Sequence, residues 1–418
     1  MKYLKLSVVA LANLLLMVEL AVAEPSVKEI INTYSDIALA GYEDSLATAI
    51  ELKTSIDTLI KNPTKENLNH ARKAWRKSRV PYMQTEAYRF GNAIVDDWEG
   101  RVNAWPLDEG LIDYVAEDYG SESDENELYV ANKLSGRTID ASTIDKKLLI
   151  DILHEAGGIE ANVATGYHAI EFLLWGQDLN GSEKGQGNRP VTDFDIQNCT
   201  GGNCDRRVTY LRVVTEILID DLKWMIGQWG THGAARTSLL SANESEALSA
   251  MFTGIGSLSY GELAGERMKL GLMLHDPEEE HDCFSDNTHD SHYYNALGIQ
   301  NVYHGRYKRI DGNLVIGPGL SDLVKARNAK TDQNVTKAIE KSVEQLASLK
   351  KRAETIEAYD QMIAEDNREG NKIVSDSIAA LVAQTKEIER AISVLNIKPI
   401  EFESSDSLDN PSNVGKKQ

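Results

Sequence analysis

The stretch Ile159–Gly176 reads IEANVATGYHAIEFLLWG, and the fold can be worked out from it in both directions. Its apolar residues lie all the way round a helical projection, which is typical of a helix that is buried on every side. His168 and Glu171 stand three residues apart and therefore share one face of that helix. Burying an imidazole or a carboxylate without a partner is unfavourable. The pair therefore indicates either a satisfied His–Glu contact inside a helical core or two ligands to one metal ion.

The charge balance of the chain is strongly acidic. Lys and Arg together number 44 and Asp and Glu number 65 in the 418 residues, which gives a net charge of −21. Such a surface argues against binding to nucleic acid and to anionic membranes, and it suits a protein that binds cations. Because the chain has only 9 prolines, few positions interrupt long helices.

The N-terminus has the pattern of a secretory signal peptide. Lysines precede an apolar run over residues 6–18, and Ala21-Val22-Ala23 is an A-x-A cleavage site. The apolar run is too short to cross a bilayer. We therefore expect residues 1–23 to be removed and the mature protein to be exported.

The order of the predicted elements repeats along the chain. Each half begins with long helices, continues through an irregular stretch rich in aromatic and acidic residues, and closes with two helices. This repetition predicts an all-α protein of two related helical bundles that arose by internal duplication. We place the N-terminal bundle at residues 24–235, the C-terminal bundle at residues 236–397 and a flexible tail at residues 398–418.

A second set of polar side chains lies on the helix that Thr64 is expected to cap. Arg79 and Glu86 fall on one stripe of this helix together with Trp75 and Tyr82. The two charged residues indicate either a structural ion pair or part of a site around His168.

The segment over residues 276–319 is irregular and rich in histidine and acidic residues. Its histidines include His281, His289 and His292, and carboxylates stand between them. We interpret this segment as a solvated acidic loop, with a metal site as the alternative.

The three cysteines carry information about the compartment. Cys199 and Cys204 stand close together in a long loop, and in an exported chain such a pair predicts a short disulfide. Cys283 is left without an assigned partner.

Taken together, these residues resemble the imelysin family of bacteria, and most closely its iron-regulated protein A branch. The hallmark motif GxHxxE is present as Gly166-x-His168-x-x-Glu171. The supporting motifs, which cover nearly all of the mature chain, are Trp75-x-x-x-Arg79-x-Pro81-Tyr82, Asn103-Ala104-Trp105-Pro106, Gly261–Met268 and Cys283–His289. The resemblance implies two related helical bundles, a periplasmic or outer-membrane-associated location, and a link to iron uptake.

The resemblance also implies a functional site near the interface of the two domains. The predicted metal ligands are His168, Glu171 and Glu86, and the predicted neighbours of the site are Arg79, Asp108, Trp105 and Gly166. We expect a divalent ion, iron or zinc, because histidine with carboxylates suits these metals better than calcium. The expected partners are the metal ion or a small iron-bearing ligand and an iron-transport protein of the cell envelope, with no nucleic acid.

Two functions stay open at this point. The first is a binding protein for a metal ion or an iron-bearing ligand. The second is a zinc-dependent metallopeptidase at the same GxHxxE site, since the family is also described as insulin-cleaving peptidase-like. A zinc peptidase needs about three protein ligands and a general base. The motif supplies two ligands and contains no residue that is left to act as a general base. We therefore favour the binding protein and leave open whether the protein is an enzyme.

Overall fold

The structure, a computed structural model, describes residues 24–120, 123, 126–131 and 140–414. The predicted signal peptide, residues 1–23, lies outside the described residues. Apart from one short hairpin, the regular structure of the described residues is helical, which confirms the all-α class. None of their helices combines the length and the apolar character that crossing a bilayer requires.

The elements run as follows. The α-helices are α1 Val27–Lys61, α2 Lys65–Met83, α3 Ala93–Asn103, α4 Glu109–Ile112, α5 Gly166–Trp175, α6 Cys204–Trp229, α7 Ala234–Ser241, α8 Glu244–Ser257, α9 Gly271–Leu274, α10 Thr288–His304, α11 Leu320–Arg327, α12 Ala329–Thr355, α13 Tyr359–Ile363, α14 Arg368–Val394 and α15 Asp406–Asp409. The π-helical segments are Leu148–Leu153 and Leu258–Leu270. The 3₁₀ turns are Glu86–Tyr88, Glu117–Tyr119, Ala156–Gly158, Val191–Phe194 and Pro277–Glu279. The strands β1 Arg306–Lys308 and β2 Leu314–Ile316 pair antiparallel, with Tyr307 opposite Val315.

Local capping sets the start of several long helices. The Ser26 hydroxyl accepts the main-chain N–H of Glu29, and the Glu29 carboxylate accepts the main-chain N–H of Ser26. Asn243 and Glu246 begin α8 in the same way. Each such box satisfies two of the N–H groups that a helix start leaves without partners. The starts of these helices therefore follow from a few neighbouring residues.

Three helices of the first half of the chain pack directly on α5. The helix α1 packs on α2 and α6, and α5 contacts α2, α3 and α6. In the second half of the chain, α12 packs on both α14 and α10. One large group of buried apolar side chains runs from Val27 to Ile397 and so joins both predicted bundles, whereas a smaller group is confined to residues 263–381.

The predicted boundary between bundles falls inside ordered structure. The helix α7 spans residue 235 and packs on α1, α6 and α8. The two-bundle division and the internal duplication stay predictions.

The central helix is shorter than the sequence indicated. It begins at Gly166 rather than near Ile159, because Gly166 has φ of +83° and its backbone lies against the carbonyl of Val102. A Cβ atom at this glycine would lie 2.4 Å from the Val102 oxygen, so no other residue fits without a shift. The prediction of a helix buried on every side holds, since all residues from Gly166 to Trp175 are buried.

Part of the C-terminal segment, which the sequence predicts to be a flexible tail, is hydrogen-bonded to the helices before it. The Ser407 hydroxyl donates to the Gly265 carbonyl over 3.0 Å, and the main-chain N–H of Glu403 donates to the Ser257 hydroxyl over 3.1 Å. These bonds hold residues 403–407 against the end of α8 and the π-helical segment, where Gly261 and Gly265 leave room for them.

The cysteines are placed as follows. Cys199 and Cys204 form a disulfide in the loop before α6, as the spacing predicted. Cys283 is a buried free thiol.

Candidate functional site

The His–Glu pair of α5 is an internal hydrogen bond. Both His168 and Glu171 are fully buried, and Oε2 of Glu171 lies 3.0 Å from Nδ1 of His168. The other oxygen, Oε1, accepts the main-chain N–H of Ser285 over 3.0 Å. Because Oε2 contacts Nδ1 of His168, Glu171 is placed to orient the imidazole. The role of Glu171 as a metal ligand stays a prediction, and within the described residues the atoms that could share one ion belong to His168, His281 and Asp282.

The histidine of α5 meets two residues from a distant part of the chain. The ring centroids of His168 and His281 are 4.8 Å apart. One possible ligand atom from each of His168, His281 and Asp282 lies within 4.8 Å of the other two. The Nε2 atom of His168 is buried and has no hydrogen-bond partner among the described residues. Two imidazoles and one carboxylate are a donor set that fits zinc or iron.

The interpretation of residues 276–319 as a solvated loop is wrong for residues 280–282, near its start. Glu280, His281 and Asp282 are only 1%, 3% and 0% exposed. The segment is buried because a cation from the first half of the chain, Arg79, is available to pair with its carboxylate. The alternative interpretation, a metal site, stays a prediction, and His281 and Asp282 belong to a group of side chains that could hold an ion.

Arg79 is the central cation of the site. It is fully buried, and its Nη2 donates to Oδ1 of Asp282 over 2.9 Å. Its Nη1 donates to the side-chain oxygen of Asn103, and its guanidinium lies 5.0 Å from the ring centroid of Tyr167. Arg79 therefore fixes the carboxylate of Asp282 relative to α2, α3 and α5.

The predicted pairing of Arg79 with Glu86 is wrong. The helix α2 ends at Met83, so Glu86 falls in the next 3₁₀ turn and leaves the stripe that carries Arg79. Its carboxylate accepts a hydrogen bond from Nη2 of Arg267 over 2.8 Å. Glu86 is therefore engaged in a different ion pair and does not belong to the group of possible ligands around His168.

The remaining predicted neighbours divide into two kinds. The Trp105 ring lies 5.2 Å from the His168 ring, measured between centroids, and Gly166 begins the helix that carries His168. Asp108 instead accepts a hydrogen bond from the side chain of Asn126 and precedes α4. The turn before α4 directs it there, so the structure gives Asp108 no place among the possible ligands.

The charges around the site favour metal binding by neutral imidazoles. Burial lowers the pKa of His168 well below its ordinary value, and the charge of Arg79 lowers it further. Burial and the charge of Arg267 act in the same way on the pKa of His281. Burial raises the pKa of Asp282, but Arg79 and His168 outweigh it and hold that pKa at about 2. At neutral pH the site therefore offers two neutral imidazoles and one carboxylate.

The pKa of Glu171 is raised, whereas that of Asp282 is lowered. Burial and the charge of Asp282 raise its pKa well above the ordinary value, and Ser285 and Arg79 offset part of that rise. The carboxyl and Nδ1 of His168 are close enough to share a proton. For Nε2 to bind a metal ion, Nδ1 carries the proton and donates it to Glu171.

A cleft of about 500 Å³ leads to the site and has His281 in its lining. Its walls come from α3, the segment after α3 and the π-helical segment Leu258–Leu270. The acidic lining residues are Asp96, Glu99, Glu155, Glu160, Glu262, Glu266 and Glu279, and the basic ones are Arg89 and Arg267. An acidic cleft concentrates cations near its floor.

Comparison with known proteins assigns the family. A family model described as Imelysin matches residues 38–388. The chain belongs to the imelysin family. It is similar to Iron-regulated protein A of Synechococcus elongatus, with 23% identity over 287 residues. That match covers 66% of this chain and 63% of the cyanobacterial protein, which is less than two thirds of it.

A solved structure shares the imelysin fold of this chain. It is a crystal structure from Parabacteroides distasonis, described as that of an iron-regulated protein A precursor. The TM-score is 0.57 at 19% sequence identity, and the match covers 88% of this chain and 97% of the other. At this identity, the likeness shows a common fold.

In this imelysin-family protein, the sequence alone missed the partners of the GxHxxE motif. The composition of residues 276–319 favours a solvated loop around His281 and Asp282, and it gives no role to Arg267. The resemblance did contain a signal, because the motifs Gly261–Met268 and Cys283–His289 include or adjoin these residues. The first motif lies in a π-helical segment, and π-helical turns are rare and are frequent at functional sites.

Proposed function

We propose that this imelysin-family protein is an exported binding protein, linked to iron, for a divalent metal ion or a small iron-bearing ligand. The metal, iron or zinc, is held between His168, His281 and Asp282. One observation carries the proposal: within the part of the chain that the structure describes, Nε2 of His168 is buried without a hydrogen-bond partner, although Glu171 holds the ring in one orientation. An unpaired buried polar atom costs about 1–3 kcal/mol, and a metal bond to Nε2 offsets that cost.

The residues behind the three ligands support the same role. A carboxylate that accepts the second N–H of a metal-binding histidine is a recurring feature of metal sites, and Glu171 stands in that position. Asp282 is held by Arg79, Asn287 and Ser291. The ligands are therefore oriented before the metal arrives, and little conformational entropy is lost on binding.

The position of the site supports the predicted two-domain arrangement. His168 comes from the proposed bundle of residues 24–235, whereas His281 and Asp282 come from that of residues 236–397. A metal ion at this place joins the two halves. We propose that the two bundles are related by duplication and that the site occupies their interface.

The link to iron and the location are supported by the relatives and by the N-terminal sequence. One relative is named Iron-regulated protein A, and the structural neighbour is described as an iron-regulated protein A precursor. The N-terminal pattern over residues 1–23 is that of a secretory signal. We propose a periplasmic or outer-membrane-associated protein that exchanges its metal with an iron-transport partner of the envelope.

A zinc-dependent metallopeptidase is the alternative, and Glu99 is the observation that favours it. This cleft residue is hydrogen-bonded to Asn103 over 3.1 Å, and Asn103 lies 3.5 Å from Nε2 of His281. Burial raises the pKa of Glu99 to about 7, with Arg89 acting against that rise. A carboxyl with a pKa near the working pH suits a general base, which the motif alone does not supply.

The test begins with the metal content of protein purified without added metal. Titration calorimetry with Zn²⁺, and with Fe²⁺ under anaerobic conditions, then compares wild type with His168→Ala and His281→Ala. We expect one equivalent bound by wild type and by His232→Ala, an exposed histidine that serves as the control. Both site variants should lose that binding. Binding that persists unchanged in His168→Ala places the metal elsewhere.

A peptidase assay separates the two functions. Wild type loaded with zinc is incubated with a fluorogenic protein substrate beside Glu99→Gln. Hydrolysis that disappears in Glu99→Gln while zinc stays bound identifies a peptidase with Glu99 as its base. An absence of hydrolysis in wild type that binds zinc supports the binding protein.

A further inference from the structure

A second group of buried polar side chains lies directly next to the candidate site. Glu280 precedes His281, Tyr359 and Asp360 begin α13, and His292 lies on α10. They are only 1%, 1%, 2% and 0% exposed, in the order named. None of them takes part in the function proposed above.

These side chains share a lack of hydrogen-bond partners. Buried atoms without a partner among the described residues are Oε1 of Glu280, both carboxylate oxygens of Asp360, the hydroxyl of Tyr359 and both ring nitrogens of His292. One carboxylate oxygen of Asp286, Oδ1, is in the same condition. Roughly 90% or more of buried polar groups in proteins have a partner. A concentration of unpaired atoms in one place is therefore typical of a binding site.

The members of the group face one another. The ring centroids of His292 and Tyr359 are 5.1 Å apart. Thr288 lies one turn before His292 on α10, and its hydroxyl donates to Oε2 of Glu280 over 3.0 Å. Glu280, Asp286 and Asp360 therefore belong to one neighbourhood, in which Asp286 is half-buried and interacts with Arg76.

The pKa values of Asp360 and Asp286 are raised above their ordinary values. Burial raises the pKa of Asp360 to about 7, and the nearby main-chain N–H of Gln361 offsets part of that rise. The contact with this N–H is outside the distance and angle limits of a hydrogen bond, so both carboxylate oxygens of Asp360 count as unpaired among the described residues. Burial and the charge of Asp360 raise the pKa of Asp286 to about 8, with Arg76 acting against them. A bound cation would stabilise the charged forms of these carboxyl groups.

We propose that Glu280, Asp286 and Asp360 form a second metal site, which takes a hard divalent cation such as Ca²⁺ or Mg²⁺. Carboxylate oxygens suit these ions, whereas the imidazole-rich first site suits zinc or iron. Within the described residues, only His168, His281 and Asp282 have ligand atoms mutually within 4.8 Å. At least one carboxylate of the second site therefore reaches the cation through a bound water, as occurs in calcium-binding loops. Tyr359 and His292 are placed to hydrogen-bond such waters.

Thr288 connects the second site to the first. Its hydroxyl accepts the main-chain N–H of Asp282 over 2.9 Å and donates to Oε2 of Glu280 over 3.0 Å. A cation at Glu280 therefore steadies the segment that presents His281 and Asp282. This consequence depends on the function proposed above, whereas the second site itself does not.

The probe for the second site is Tb³⁺, which replaces Ca²⁺ and emits when a nearby tyrosine is excited. The full-length mature protein should show saturable emission that Ca²⁺ displaces, and Tyr359 is placed to sensitise it. Glu280→Gln and Asp360→Asn each keep the shape of the side chain, and each should weaken Tb³⁺ binding at least about tenfold. Asp366→Asn, an exposed residue near the same helix, is the matched control and should bind as wild type does.

A second arm separates this site from the first. His168→Ala should keep the Tb³⁺ emission while it loses Zn²⁺ binding, and Asp360→Asn, which has no such link to Asp282, should lose the Tb³⁺ emission while it keeps Zn²⁺ binding. Ca²⁺ should also raise the Tm of wild type. This measurement tests for cation binding at the second site even if one of the variants fails to fold. The site is refuted if wild type shows no saturable emission, if both carboxylate variants bind Tb³⁺ as tightly as wild type, or if Ca²⁺ leaves the Tm unchanged.

Discussion

The carboxylate of Asp282 lies 2.9 Å from the guanidinium of Arg79, and both side chains are fully buried. The two residues are separated by 203 positions in the chain. Arg79 belongs to α2 in the first half of the protein, and Asp282 adjoins His281 in the second. This single ion pair therefore fixes the position of two possible metal ligands relative to the helix bundle that carries His168.

Removal of Arg79 should destabilise the protein strongly. Arg79→Leu leaves the carboxylate of Asp282 buried without its cation, and breaking a buried pair in this way typically costs about 3–5 kcal/mol. We expect a fall of that size in the free energy of unfolding, measured by urea denaturation. Lys77→Leu on the same helix is the control, because its ion pair with Glu51 is exposed and should contribute little. Equal losses in the two variants would contradict the structural role of Arg79.

Glu171 should control metal affinity without being a ligand. Glu171→Gln keeps the shape of the side chain and the bond from Ser285, but it weakens the acceptor for the His168 ring. Loss of such a supporting carboxylate typically lowers metal affinity about 10–100-fold. Titration calorimetry with Zn²⁺ measures this, with Glu183→Gln as an exposed control. Complete loss of binding, equal to that of His168→Ala, would indicate instead that Glu171 binds the metal directly.

Local features of the fold could be predicted from the sequence because they depend on neighbouring residues. The burial of α5 followed from its apolar composition, and the contact between His168 and Glu171 followed from their spacing. The start of that helix at Gly166 could not be predicted, because it depends on the approach of Val102.

The partners of the site could not be predicted for a related reason. Composition alone cannot distinguish a solvated acidic segment from one that is buried around a distant arginine. The burial of Asp282 depends on Arg79, and the engagement of Glu86 depends on Arg267. Both pairings are long-range, and the end of α2 at Met83 decides which carboxylate each arginine meets.

The stability of the protein should depend on pH through Glu109. Burial raises the pKa of this carboxyl from 4.5 to about 7, with the Tyr119 hydroxyl acting against that rise. Between these values the folded state binds more protons than the unfolded state, so the free energy of unfolding falls as pH rises. The loss is complete above about pH 7 and absent below about pH 4. Glu109→Gln imitates the protonated form and should therefore stabilise the protein at high pH only.

Urea denaturation at two pH values tests the Glu109 prediction. At about pH 8, Glu109→Gln should raise the free energy of unfolding by up to about 3 kcal/mol, and at about pH 4 it should have little effect. Glu365→Gln, on an exposed turn, is the control and should show no such difference. A gain that is the same at both pH values would mean that the effect comes from packing rather than from ionisation.

The glycine of the GxHxxE motif should be required for both folding and metal binding. Gly166 has φ of +83°, and a Cβ atom there would lie 2.4 Å from the carbonyl oxygen of Val102. Gly166→Ala must therefore displace the start of α5 and with it His168, two residues further on. We expect a lower free energy of unfolding and weaker Zn²⁺ binding in the same variant.

Gly227→Ala in α6 is the matched control, because its Cβ would meet nothing within 4 Å. In an exposed helix this change should stabilise the protein by about 0.5–1 kcal/mol and leave Zn²⁺ binding unchanged. Zinc affinity that survives in Gly166→Ala would show that the metal does not depend on the position of His168.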